Sequence, residues 1–158
     1  MPSQEAQIEQ TENMAESIEP NKEVIPSFGY ELIREELLHD LLGKDAPDIL
    51  YWAGKRLARK YPLQTEEDLF SFFVEAGWGK LTKNLENKKE IEYQLTSEVI
   101  QKRCKENAHA TFQLEAGFIA QQIEQKKEVI CETFEHPRKK GGKVLFTVKW
   151  DKKDNIHT

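Results

Sequence analysis

Absences set the first limits on this chain. It has only two cysteines in 158 residues, Cys104 and Cys131. That is too few for a disulfide scaffold and, by themselves, too few for a zinc site; both read as reduced, partly buried thiols. No run approaches the roughly eighteen apolar residues of a membrane span. The charged-then-apolar start of a secretion signal is also lacking, so the cytoplasm is the expected compartment. Gly-x-Gly-x-x-Gly, Walker and Gly-x-Ser-x-Gly segments are absent too, which removes the usual dinucleotide, phosphate-loop and hydrolase-elbow readings. Nor is there an excess of positive charge. The net −5 arises wholly within residues 1–26, where Glu5, Glu9, Glu12, Glu16, Glu19 and Glu23 face Lys22 alone. An acidic arm on a neutral body is a poor partner for nucleic acid. The basic cluster Arg138, Lys139, Lys140 and Lys143 beside Gly141-Gly142 reads as a solvated hairpin turn.

What is present is a chain with three parts. Residues 1–26 are Glu/Gln/Asn/Ser-rich and should form a disordered acidic arm. Residues 27–151 should form one α+β domain, and residues 152–158 a polar C-terminal tail. Within the domain, Ile33, Leu37 and Leu41, with Leu38 and Leu42 beside them, predict a helix over 30–42 that Gly43 ends. Asp45, Pro47 and Asp48 announce a second helix, with Asp45 and Asp48 in capping-box positions, and Pro62 stops it. Leu50, Ala53, Gly54, Leu57, Ala58 and Tyr61 share its broad face; Lys55, Arg56, Arg59 and Lys60 oppose them. Thr65 caps a third helix rich in Phe70, Phe72 and Phe73. From Trp78 the period changes to two, and Ile91, Tyr93 and Leu95 mark a half-exposed strand. Residues 98–110 read as a short strand or a turn of helix.

Residues 111–125 then carry two apolar stripes, Phe112/Ala116/Ile119/Ala120/Ile123 and Leu114/Phe118, with a notch at Gly117. Strands over 129–134 and 144–150 close the domain, with Val144, Phe146, Val148 and Trp150 on one face. Successive hairpins predict an antiparallel sheet of about four strands with a layer of about four helices on one face.

Three motifs carry a resemblance: Gly-Lys-Asp-Ala-Pro-Asp-Ile-Leu-Tyr-Trp-Ala-Gly-Lys-Arg-Leu-Ala at 43–58, Gly77-Trp78-Gly79, and the Phe-Gln-Leu-Glu-Ala-Gly-Phe-Ile-Ala run from Phe112. Together they resemble the uncharacterised YslB family of Gram-positive bacteria. More distantly the chain is similar to the vinyl-reductase-type ligand-binding domain and to the Bet-class TRAPP vesicle-tethering subunits. The distant likeness implies an α+β fold, dimerisation through helices and, in several relatives, a hydrophobic pocket for a small molecule or acyl chain. Metal- or redox-linked relatives often cluster cysteines in the final hairpin, where this chain has Cys131 alone. Near the acylated cysteine of the TRAPP type, the one candidate is Cys104.

The chemistry that remains is sparse. Cys104 and His109 could pair, yet an exposed thiol beside a surface histidine is the plainer reading. His39, His109, His136 and His157 are scattered, and His39 reads as a polar-face residue rather than a haem ligand. Glu115 suits a helix start, or could pair with Arg103 or Arg56 across a packed interface. Trp52, Phe72, Phe73, Trp78 and Phe118 could line a pocket or fill a core. The expectation is a non-enzymatic binding module, homodimeric through its helices, without metal or cofactor. It would hold an apolar small molecule or acyl chain, or dock a protein partner. The pocket is expected at Trp52, Phe73, Trp78, Phe118 and Ile119, and the dimer contact at Leu50, Gly54, Leu57 and Ala58. A structural adaptor with a filled core is the alternative, and an enzyme using Cys104 a distant third.

Overall fold

The structure, a computed structural model, describes residues 23–136 and 142–155, with side chains as far as Asp151. Most of the acidic arm and the loop residues Arg138, Lys139 and Lys140 lie outside the described residues. An N-terminal segment passes from α1 (Ser27–Glu31) through a π-helical turn (Leu32–Leu37) into α2 (Leu38–Leu42). A 3-10 turn, Gly43–Asp45, leads into α3 (Ala46–Lys60), followed by α4 (Glu66–Glu75). Then come β1 (Lys80–Glu86), β2 (Glu90–Thr96), α5 (Glu98–Glu106), α6 (Gln113–Lys127), β3 (Val129–Glu135) and β4 (Val144–Asn155). The strands form one antiparallel sheet in the order β1-β2-β4-β3. This is the α+β architecture the periodicities predict. Ile91, Tyr93 and Leu95 of β2 and Val144, Phe146 and Val148 of β4 meet Phe73, Phe118 and Ile119 of the helices in one core.

Local chemistry explains most boundaries. Thr65 makes a full capping box with Asp68: its hydroxyl accepts from the Asp68 N–H at 3.1 Å, and the Asp68 carboxylate accepts from the Thr65 N–H at 3.2 Å. The box expected at Asp45 and Asp48 does not form. Asp45 closes the 3-10 turn at φ −90°, ψ 5° and makes no side-chain cap bond, because capping needs the extended backbone found at Thr65. Residues 98–106 are helical, with Ser97 Oγ accepting from the Ile100 N–H at 3.0 Å. The last strand continues to Asn155, which pairs with Val129, so its pairing runs beyond Trp150 and into the segment expected to be a tail.

Edge strand β3 is covered by side chains. The Cys131 N–H donates to Glu124 and the Thr133 N–H to the Tyr51 hydroxyl, each at 3.1 Å. Backbone donors engaged in this way do not template another strand.

Candidate functional site

The aromatic set is the first place to look for a pocket. Phe73, Trp78 and Phe118 come together as expected, with centroid distances of 5.0, 6.0 and 5.3 Å in nearly edge-on geometries. Phe72 stacks on Phe118 at 4.5 Å, and Ile119 is fully buried in the same core. Such spacings are those of aromatic groups filling space against one another. Trp52 does not join them: it is 63% exposed. The reason is helical geometry. Trp52 lies two residues from both Leu50 and Gly54, so about 200° of rotation turns it away from the face they bury.

The residues expected to meet a second copy are used inside the chain instead. Leu50, Gly54 and Ala58 form an inward row on α3, and Leu57 packs beside the core. Opposite them on α6 lies Gly117. A Cβ on Gly54 would run into the Leu114 carbonyl oxygen, and one on Gly117 into the Tyr51 carbonyl oxygen. The two glycines therefore let α3 and α6 cross backbone against backbone. The small-residue signal was real, but its partner helix belongs to the same molecule.

Three polar residues of α6, Glu115, Gln121 and Gln122, are buried and engaged. Gln122 accepts from the Leu63 N–H at 3.1 Å and donates to the Tyr61 carbonyl at 2.7 Å, tying down the chain after α3. Glu115 is fully buried and paired, but with neither Arg103 nor Arg56. Its carboxylate receives the Arg34 guanidinium at 2.8 Å on both oxygens, and Arg34 also donates to the Tyr30 hydroxyl at 2.9 Å. Burial alone would lower the Arg34 pKa; the Glu115 charge and the Tyr30 hydroxyl outweigh it and raise the pKa above its ordinary value.

Arg103 of α5 mirrors this arrangement. It is buried, binds both oxygens of Glu31, and lies 3.2 Å from Glu35. Both guanidinium groups lie near the Phe112 ring, at 5.6 and 5.3 Å from its centroid. Two arginines and three glutamates thus strap the N-terminal segment to the body. Sequence reasoning missed this strap because Arg34 and Glu115 are 81 positions apart. The one local signal is an arginine set among the apolar residues of a first helix.

Two surfaces remain open around the strap. Between the N-terminal segment and α5 is a cleft of about 340 Å³, lined by Phe28, Glu31, Leu32, Glu35, Val99 and Arg103 among others. On the outer side, Ile33, Leu37 and Leu41 are 57, 51 and 71% exposed, and Ile49 shares the outward side of α3 with Trp52. The Cys131 thiol offers little reactivity. Cys131 is pushed up to about 12 by burial and by Glu124, so it stays protonated at neutral pH. Among the described residues no group of three His, Cys, Asp or Glu side chains could hold a metal ion. Among the same residues no helix is long and apolar enough to cross a membrane.

Fold and site together define an α+β domain with an internal glycine-to-glycine helix crossing and a salt-bridged N-terminal strap. The chain belongs to the family described as protein of unknown function (DUF2507), whose profile matches residues 27–149. It is 48% identical over 141 residues to the uncharacterized protein YslB of Bacillus subtilis (strain 168), covering 89% of this chain and 95% of that one. Among solved structures it is similar in fold to a vinyl-4-reductase family protein from Methanocaldococcus jannaschii. The TM-score is 0.57 and the identity 21%, over 83% of this chain and 85% of that one.

Proposed function

We propose that this protein is a non-enzymatic docking module that pairs with a second copy of itself over the outer side of its N-terminal segment. The observation that carries the reading is the exposed row Ile33, Leu37 and Leu41. Three large aliphatic side chains at i, i+4 and i+8 facing water are an association surface rather than ordinary scatter. Charge favours a second copy as the occupant. Glu36 and Asp40 are exposed one position before Leu37 and Leu41, while on α3 the exposed residues Ile49 and Trp52 lead to exposed Arg56. A twofold axis brings unlike edges of such a surface together, since residue i meets j while j meets i. Cysteines kept out of disulfides suit the cytoplasm.

The runner-up within the same class is an adaptor with a filled core and a different protein on this face. An acyl chain among the aromatics is less favoured, because Phe72, Phe73, Trp78 and Phe118 are already packed ring on ring.

Light scattering on a sizing column tests the pairing. The expected mass is twice the 18.4 kDa chain at about 50 µM, falling toward the monomer on dilution. Leu37→Asp should give a folded monomer at every concentration. A wild-type monomer at about 50 µM, or an undisturbed dimer in Leu37→Asp, would remove the reading.

A further inference from the structure

The outward side of α3 carries cations that meet no acid. Ile49, Trp52, Arg56, Arg59 and Lys60 are all exposed, and at 100° per residue they share one arc, away from the buried Leu50, Gly54 and Ala58. Among the described residues no carboxylate pairs with Arg56, Arg59 or Lys60: Arg59 reaches the Gln121 amide oxygen at 3.4 Å, and Lys60 lies over the Tyr61 ring at 5.7 Å. Asp48, at the start of the helix, is the one acid on the same side.

The complementary charges stand in the N-terminal arm. Glu5, Glu9, Glu12, Glu16 and Glu19 recur at steps of four and three, a spacing that on a helix confines all five to an arc of about 80°. Ile8, Ala15 and Ile18 fall on the adjoining arc, and Pro20 follows as a stop. Like charges at such spacing disfavour a helix by itself; cations laid along them reverse that. The lengths also agree. Residues 8–19 and Ile49–Lys60 are equal stretches, each about 18 Å as helix.

The arm has the reach. Glu23, Val24 and Ile25, where the described chain begins, are exposed. Residues 20–26 extended span roughly 23 Å, and residues 27–42 as helix about 24 Å. The arm can therefore return beside the N-terminal segment as far as α3.

We infer that residues 5–19 dock as a helix along the outward side of α3 of the same chain, with the glutamate stripe over Arg56, Arg59 and Lys60 and the aliphatic stripe against Ile49 and Trp52. A polar, charged segment of this kind orders on contact with its partner. The tether makes the contact intramolecular, at an effective concentration on the order of millimolar, which favours α3 of the same chain over any free partner. In the single chain the arm covers an edge that a second copy would otherwise meet, and the inference does not rest on that pairing.

The test is acrylamide quenching of tryptophan fluorescence in the full-length chain at about 1 µM, low enough to disfavour pairing. Trp52→Phe assigns the Trp52 share of the signal by difference. Glu12→Lys with Glu16→Lys should lower the ratio of docked to free arm about tenfold and unmask Trp52 to quenching. Arg56→Glu with Lys60→Glu should do the same, as should about 0.5 M salt on the wild type. All four substitutions together should restore most of the protection. All four positions lie in the arm or on the exposed side of α3, outside the core. Unchanged quenching in both double variants overturns the inference. So does a fourfold variant as open as either double variant. Protection that grows from about 1 to about 50 µM and ignores the arm substitutions gives the face to a second copy and overturns it as well.

Discussion

Two helical elements lean on α6, and they are held by opposite means. Helix α3 crosses it at Gly54 and Gly117, where backbone meets backbone, with Lys55 and Arg59 reaching Glu124 and Gln121 only beside the crossing. The N-terminal segment is tied instead by side chains: Arg34 to Glu115 on α6, and Arg103 on α5 back to Glu31 and Glu35. The first kind of contact cannot be partly open, because close-packed backbones have no slack. The second kind depends on a few charge-assisted bonds that are strong when made and, once water enters, readily exchanged for hydration. The comparison assigns rigidity to the crossing and adjustability to the strapped segment, whose outer row faces solvent.

Substitutions should separate the two regions, beginning with the largest effect. Gly117→Ala or Gly54→Ala forces a methyl into a carbonyl oxygen of the facing helix and should cost about 3 kcal/mol or more in chemical denaturation. Full wild-type stability in both variants would break the claim that the crossing is rigid. Glu115→Ala strands a buried guanidinium and should cost about 3 kcal/mol. Removing Arg34 as well should recover part of that loss, because the two groups share one interaction. A double variant whose loss equals the sum of the two single losses would mean that the strap is not a coupled unit. Thr65→Ala, in the capping box of α4 and outside both regions, should cost about 1 kcal/mol.

A pH effect comes last, since it vanishes at neutrality. Burial, with Glu66 adding to it, raises the Tyr93 pKa, and burial with Glu124 lifts Cys131 to about 12. Both groups are neutral when protonated, so their folded-state pKa values lie above the unfolded ones. Their contribution is complete below the unfolded values, near 8.5 for cysteine and about 10 for tyrosine. It is lost as pH rises through the folded values. Denaturation midpoints should therefore fall between about pH 9 and pH 12. Cys131→Ala should flatten the earlier part of that fall, and an unchanged pH profile in the variant would exclude the thiol as a cause.

The fold was largely legible from periodicity. The change from a period near 3.6 to a period of two at Trp78 separates the first helices from the sheet, and the double stripe of α6 marks a central helix. The family likeness was legible in the motifs at 43–58, 77–79 and from Phe112. Partnerships were not. Gly54 announces a close helix neighbour but carries nothing that distinguishes α6 of the same chain from a helix of another. Trp52 shares a motif with Gly54 and, two residues away, points in the opposite direction. Arg34 looks like an ordinary surface arginine until the fold brings Glu115 to it across 81 positions. The exposed row Ile33, Leu37, Leu41 has the spacing of a core-facing stripe, and only the direction taken by Arg34 and Tyr30 shows that it faces outward.

Hydrogen exchange followed at two protein concentrations tests the central contrast most directly. At low concentration the amides of residues 27–42 should exchange through local opening, well ahead of those in α3 and α6. At high concentration protection should rise over residues 33–41 and stay constant in α6. Equal protection of the two regions at both concentrations would contradict both the adjustable strap and the paired outer face.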